Sequence, residues 1–517
     1  MDLIKVEQAT WKIGSLTILV LLSLPVISIL SNINRDFFKD ILNALTQSYT
    51  LNTAILMLGV GLLSLIMGVS TAWLCSRYKF PFSSFFNWAL ILPLAVPSYI
   101  MAYTYKGMFG LFGTSHALFN FYIEIDNIWA LCFIMAISLY PYVYLTSRVS
   151  FMLSSNRFIE SSFSLGKNIF TTFLKIVLPL SWPAIFGGLV LVLMEVVNNY
   201  GAVQYFGIQT FTTEIVRKWN PLNSNSIQSV ASILILFVAI FYFIEKSIRK
   251  GAGFAEKIGK SKETSYLVLS GKNRAMAFLL CLVVFCFAFL LPVGQLLYWS
   301  LGKWNSLFTG DLAKTILVTF IIGISAALLS TLVALFIRYF IHHGRKIKVL
   351  IWLNSIPSLG YSVPGALLGV GILSFLMYLS RAFNINLTSS IGILIFAYLV
   401  RFYSVSMGTL NGGFEKIQKN LGHASFSLGK SFSGTLTHIH FPLLKNVLFA
   451  SMILVFVDVV KELPLTMMFQ SFNFQTLAVK SYMMMETDGA VYNAALPSLL
   501  IVLISVVPVY FVNRWVK

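Results

Sequence analysis

The chain has 517 residues, of which 57% are hydrophobic and only 11% charged, with a mean hydropathy of +0.82. A soluble domain carries roughly 25% charged residues, so this composition excludes a water-faced globular protein of this length, and with it a large soluble catalytic domain. The 37 Lys and Arg against 18 Asp and Glu give a net charge of +19. In a soluble protein that would point to nucleic acid, but a membrane protein collects the same excess in its cytoplasmic loops, so no nucleic-acid partner is expected.

In chain order, long apolar runs predict about twelve transmembrane helices, near 13–30, 51–75, 85–105, 128–151, 184–204, 228–244, 275–299, 315–337, 349–378, 389–410, 447–468 and 491–513. The first run follows Lys5 and Lys12, exceeds a usual signal core and lacks an A-x-A-like cleavage site, so it is read as an uncleaved span. With the N-terminus inside, most of the Lys and Arg fall in cytoplasmic connections, which places both termini in the cytoplasm. The four cysteines have no metal-ligand spacing and are expected as buried thiols. Most of the 22 tyrosines, including Tyr99, Tyr103, Tyr105, Tyr140, Tyr142 and Tyr144, are expected in interfacial belts.

The hexapeptide Ser162-Phe163-Ser164-Leu165-Gly166-Lys167 recurs as Ser425-Phe426-Ser427-Leu428-Gly429-Lys430, and the same offset of 263 relates Pro179 to Pro442. This is an internal duplication. It predicts an all-α polytopic membrane protein of two parallel-repeat halves of six spans: a first half at 1–248, a basic cytoplasmic linker at 249–273 and a second half at 274–517. An even number of spans per half gives both halves the same orientation, and a substrate path is expected where they meet.

Each repeat copy follows the fourth span of its half and predicts a short helix, a turn at glycine, then a second helix broken at Pro179 or Pro442. The spacing resembles the EAA loop of permease subunits of type I ABC importers: Glu160-Ser161-Ser162, Gly166, Ile176, Leu178 and Pro179 in one copy, and His423-Ala424-Ser425, Gly429, Ile439, Phe441 and Pro442 in the other. Serines replace both alanines in the first copy, and His423 and Phe441 depart from the pattern in the second. The resemblance implies that Glu160, Gly166, Lys167, Pro179, His423, Gly429, Lys430 and Pro442 belong to coupling loops that dock on two copies of a separate ATPase. Gly429-Lys430-Ser431 looks like the end of a phosphate-binding loop, but its first glycine would fall at Ala424 and no strand is predicted before it. No cofactor is therefore expected in this chain, with ATP and Mg assigned to the partner.

Two polar clusters follow the loops: Glu195, Asn198 and Asn199, and Asp458, Lys461 and Glu462. The latter three are spaced i, i+3 and i+4, on one helix face. A charge at the bilayer centre costs about 2.5–3.5 kcal/mol, so both clusters are expected to face the bundle interior, beside breaks at Gly201 and Pro464. Two readings stand: Lys461 pairs with Asp458 or Glu462 to hold helices together, or the clusters line the translocation path with a net excess of carboxylate. Oxygen donors suit a hard cation, but no metal-ligand set is assigned. Gly365 and Gly369 form a GxxxG, read as a close helix contact.

The stretches Glu195 to Gly201, Tyr205-Phe206-Gly207 and Thr210 to Thr213, and Asp458 to Pro464 with Thr476-Leu477-Ala478, resemble fused permeases of bacterial ferric-iron ABC importers over nearly the whole chain. Asn198-Asn199-Tyr200 stands where that family more often has Ala-Asp-Phe. The resemblance implies a multi-pass permease of the bacterial inner membrane, not itself an enzyme, that receives ferric iron from an external solute-binding protein. Alternatives are a fused permease for another small solute such as thiamine or a phosphonate, and a twelve-span secondary transporter.

Overall fold

The computed structural model describes residues 2–30, 43, 46–111, 113–153, 161–218, 267–301, 303–305, 310–343, 348–384, 390–470, 474–487 and 491–516, with isolated positions at 233, 234, 238, 240 and 247. Most of the sixth predicted span, most of the linker and Glu160 lie outside them. The helices are α1 (Asp2–Leu30), α2 (Ser48–Arg77), α3 (Ser83–Ala89), α4 (Ser98–Phe109), α5 (Thr114–Phe119), α6 (Ile128–Leu153), α7 (Ile169–Asn198), α8 (Gly201–Tyr205), α9 (Phe211–Lys218) and α10 (Gly271–Ser300). They continue as α11 (Gly310–His343), α12 (Lys348–Ser355), α13 (Gly365–Phe383), α14 (Ile391–Glu415), α15 (Lys419–Ser427), α16 (Phe432–Lys461), α17 (Pro464–Phe469), α18 (Leu477–Thr487) and α19 (Ala495–Val516). A two-residue parallel pairing, β1 (Tyr78–Lys79) with β2 (Leu267–Val268), is the one sheet among the described residues.

Ten of the described helices are long and apolar enough to cross a membrane, and a bent pair makes an eleventh. The bend falls within the span expected at 85–105: α3 and α4 are set 91° apart. Pro93 and Pro97 cause it, because each lacks an N–H and Pro97 forces Val96 into extended backbone (φ −99°, ψ 110°). The span expected at 349–378 divides in the same way, with α12 ending before Pro357 and α13 starting after Pro364.

A broken helix leaves carbonyls without partners, and an apolar surrounding offers no water to satisfy them. Buried side chains take that role here. Tyr140 and Tyr144 donate to the carbonyls of Leu90 (3.0 Å) and Asn87 (3.2 Å), and Ser138 donates to that of Val96 (3.3 Å). At the second break Tyr403 donates to the Asn354 side chain (2.6 Å) and Ser404 accepts from the Tyr361 N–H (3.3 Å). Tyr99, Tyr103, Tyr105, Tyr140 and Tyr144 are buried, so the expected interfacial belt does not hold for these five.

The helices form two compact units that interleave in sequence. One unit comprises 1–42, 215–235 and 305–480; in it α16 packs on α11 and α14, and α1 lies along α13. The other comprises 43–214, 236–304 and 481–517; in it α7 packs on α2 and α6, and α10 runs beside α19. The first helix of each sequence half thus belongs to the unit built mainly from the other half. The compact units and the halves at 1–248 and 274–517 are different divisions of the chain.

Candidate functional site

Both loop copies fold alike, down to single hydrogen bonds. In the first, a helical turn at 161–164 ends at Gly166, whose φ of +72° is left-handed. The N–H groups of Gly166 and Lys167 donate to the carbonyls of Phe163 (2.9 Å) and Ser162 (3.1 Å). In the second, α15 ends at Gly429 with φ +80°, and Gly429 and Lys430 donate to Phe426 (3.1 Å) and Ser425 (3.1 Å). An L side chain at such φ values costs about 1–2 kcal/mol, which is why glycine occupies both turns.

The turn is then tied to the next helix. Ser162 Oγ meets Thr172 Oγ1 at 2.8 Å, and its counterpart Ser425 Oγ meets Thr435 Oγ1 at 2.9 Å. Asn168 and Ser431 each cap the following helix by accepting from the N–H three residues on. Ser431 is therefore a helix cap following helix α15, not the end of a phosphate loop. Gly166, Lys167, Pro179, His423, Gly429, Lys430 and Pro442 are all exposed.

The expected helix break at Pro179 and Pro442 is a bulge instead. A π-turn at Phe173–Val177 and another at Leu436–His440 precede each proline, and α7 and α16 run on through it. The wider turn carries the missing N–H and the ring's bulk without ending the helix. The same device precedes Pro292 in α10, at Cys286–Leu290, so it belongs to these prolines rather than to the loops alone.

As a result each of these helices starts at the loop and ends at its polar cluster. α7 ends at Asn198, with Asn199 in extended backbone (φ −76°, ψ 106°); α16 ends at Lys461, with Glu462 likewise extended (φ −68°, ψ 122°). The spans expected across 184–204 and 447–468 thus stop at the clusters, and new helices start at Gly201 and Pro464, where the breaks were expected. Asn199 Oδ1 accepts from the Ala202 N–H at 3.1 Å and starts α8; Glu462 Oε1 accepts from the Leu465 N–H at 3.1 Å and starts α17. Glu195 and Asn199 are half-buried and Asn198 is buried.

The extended backbone at Glu462 removes it from the face it was expected to share with Asp458 and Lys461. Its carboxylate instead meets the guanidinium of Arg401, on α14, at 3.1 Å, with both side chains more than nine-tenths buried. Arg401 also donates to the Val363 carbonyl (3.3 Å), at the break before α13. Lys461 stands 3.9 Å from Asp458, each about a quarter exposed. The four charges of Asp458, Lys461, Glu462 and Arg401 cancel, so this cluster has no excess of carboxylate. Arg401 was legible as a charge inside a span, but nothing in its spacing pointed to Glu462.

The GxxxG stripe lies against this pair. A Cβ at Gly365 would stand 2.5 Å from both Arg401 Nη1 and Glu462 Oε1, and one at Gly369 would stand 2.5 Å from Met468 Sδ. The close contact expected of these glycines is therefore with the buried ion pair and with α17.

Each segment beyond a break returns to the start of its unit's long helix. The Phe211 N–H donates to Thr53 Oγ1 on α2 (3.4 Å), and the Leu477 N–H donates to Thr319 Oγ1 on α11 (2.9 Å). The helix break is thus pinned from both sides in each unit.

The chain is similar to known proteins over both repeats. The family described as binding-protein-dependent transport system inner membrane component matches residues 62–250 and 343–517, once per repeat. The chain is 26% identical over 470 residues to the Fe(3+)-transport system permease protein FbpB 2 of Haemophilus influenzae, covering 90% of this chain and 89% of that one. It is 23% identical to the ferric transport system permease protein FbpB of Actinobacillus pleuropneumoniae, over 87% of this chain and 69% of that one. The sulfate transport system permease protein CysT of Escherichia coli is 27% identical over 33% of this chain and 67% of its own length. With two family matches that together span well over half of its length, the chain belongs to the inner membrane components of binding-protein-dependent transport systems.

Proposed function

We propose that this permease imports ferric iron, handed over by an external solute-binding protein and driven by two copies of a separate ATPase that bind ATP and Mg. The observation that carries the coupling role is the identity of the two loops: the same left-handed glycine, the same pair of turn hydrogen bonds and the same serine–threonine tie recur in both units. Two equal docking elements suit two equal motor subunits. Gly166, Lys167, Gly429 and Lys430 form the exposed tips, with Glu160 and His423 on the preceding segment and Pro179 and Pro442 at the root of each span. Both termini and both loops lie in the cytoplasm.

Ferric iron is favoured because similarity to the two ferric permeases runs through both repeats, whereas the sulfate permease aligns with about a third of the chain. The polar helix break of each unit, with Glu195, Asn198 and Asn199 in one and Asp458 and Lys461 in the other, lines the substrate's route. Glu462 serves that route as a structural anchor through Arg401.

Uptake of radiolabelled ferric iron is the deciding measurement, in cells lacking this chain and in cells with it restored, with sulfate and thiamine as parallel arms. Restored iron uptake that vanishes when the partner ATPase loses its Walker lysine supports the proposal. Iron uptake indifferent to the chain, with sulfate or thiamine uptake restored, assigns the same machine to another solute.

A further inference from the structure

Five of the chain's six histidines lie between positions 342 and 440, and three of them converge at the root of the second loop. His342 and His343 end α11, and His440 closes the π-turn of α16. One ring nitrogen from each of the three lies within 4.8 Å of the others. His343 Nε2 and His440 Nε2 are 2.8 Å apart. His440 is fully buried and its Nδ1 lies 3.2 Å from the Thr435 carbonyl. A carbonyl only accepts, so Nδ1 carries the hydrogen, and in the neutral ring the lone pair is on Nε2, the atom that faces His343. Imidazoles that ligate metals are oriented by this kind of outer hydrogen bond.

The fold does not require imidazoles here. At the offset of 263, His440 corresponds to Val177, and His342 and His343 correspond to Lys79 and Phe80, just past the end of the first repeat's long helix. The same helix junction is thus built in the other unit without them, although the two loops are otherwise alike.

We infer that His342, His343 and His440 form a binding site for one divalent first-row transition-metal ion, of the zinc or ferrous class, which clamps the root of the second loop to the end of α11. Neutral nitrogen donors suit these ions. This donor set differs from the oxygen donors that suit ferric iron, so the site is distinct from the substrate route. At Zn–N distances of about 2.0–2.1 Å a tetrahedral ion holds its ligands about 3.3–3.4 Å apart. His343 and His440 therefore separate by about half an ångström from their present contact, within reach of small side-chain rotations. The loop responds because its parts touch the site: the ring of His343 lies 5.8 Å from that of Phe426 and 6.4 Å from that of His423, both on α15. The regulatory meaning of the clamp rests on the coupling role proposed above; metal binding itself does not.

The test is Co2+ titration of the full-length, metal-stripped chain in detergent, followed by its d–d absorption, with zinc competition. One equivalent bound with nitrogen-ligand bands, displaced by zinc, is the expected result. His343→Gln and His440→Gln are each expected to weaken binding by more than the about 10–100-fold typical of losing an outer partner. His438→Gln, at an exposed position outside the cluster, should leave it unchanged. Absence of binding to the monodisperse wild-type chain, or retention of Co2+ by the double variant, overturns the site. Hydrogen exchange then reads the clamp: zinc should slow exchange of the amides of 419–430 in the wild type and not in His342→Gln. Binding without that protection overturns the clamp. Ferric uptake is measured separately, so failure of the transport reading leaves the Co2+ result standing.

Discussion

Arg401 on α14 reaches across to Glu462, the residue at which α16 ends, and the two form an ion pair at 3.1 Å with less than a tenth of either side chain exposed. The pair joins three features: the end of α16, the start of α17 through the Leu465 N–H, and the break before α13 through the Val363 carbonyl. Breaking a buried pair by removing one partner leaves an uncompensated charge, at about 3–5 kcal/mol. Arg401→Ala should therefore lower the unfolding temperature of the detergent-solubilised protein sharply and reduce its amount in the membrane. Arg401→Met combined with Glu462→Gln removes both charges and should recover much of that loss, since glutamine still offers an acceptor to Leu465. A double variant no better than the single one would refute this account of the pair.

Gly365 has no room for a side chain. With Arg401 and Glu462 each 2.5 Å from where its Cβ would stand, Gly365→Ala should cost about 1–3 kcal/mol as an overpacking substitution. Gly294→Ala is the control, since nothing lies within 4 Å of the added atom. Thermal scans of the two variants side by side should show a loss only for Gly365.

At Gly166 and Gly429 an added Cβ meets nothing within 4 Å, so space is not the constraint; backbone conformation is. Replacing both with valine should distort the two turns, at about 1–2 kcal/mol each, while the membrane helices remain folded. Substrate uptake should fall and stimulation of the ATPase by the permease should fall with it, at normal membrane abundance. Asparagine tolerates left-handed backbone better, so Gly166→Asn with Gly429→Asn should retain more uptake than the valine pair. Equal, undiminished uptake by both pairs would remove the loops from the coupling mechanism.

Asp458 holds Lys461 only loosely, at 3.9 Å with a quarter of each side chain exposed. Asp458→Asn should therefore leave abundance and thermal stability close to wild type while lowering iron uptake. A variant that instead fails to accumulate would show that the residue works as a helix tie and not on the substrate's route.

The architecture was legible in the sequence because it rests on one-dimensional regularities. Apolar runs of span length, a repeat at an offset of 263 and glycines four positions after the paired serines need no knowledge of distant contacts, and the two left-handed turns follow from them. The proline pairs were visible too, but not their effect, because whether a proline breaks a helix or is absorbed by a π-turn depends on what donates to the freed backbone carbonyls. Tyr140 and Tyr144 donate to those carbonyls from a helix some fifty residues away in sequence, where composition alone suggested a membrane interface.

The polar clusters divide in the same way. Sequence marked Glu195, Asp458, Lys461 and Glu462 as charges that an apolar helix does not carry without cause. Only the tertiary structure decided that Glu462 leaves the helix face, since an i, i+4 spacing holds only while the helix continues, and α16 ends one residue earlier. Its partner Arg401, the glycine that makes room for the pair, and the meeting of His342 and His343 with His440 all join residues far apart in the chain. Such contacts are set by how helices pack, and local sequence does not encode them.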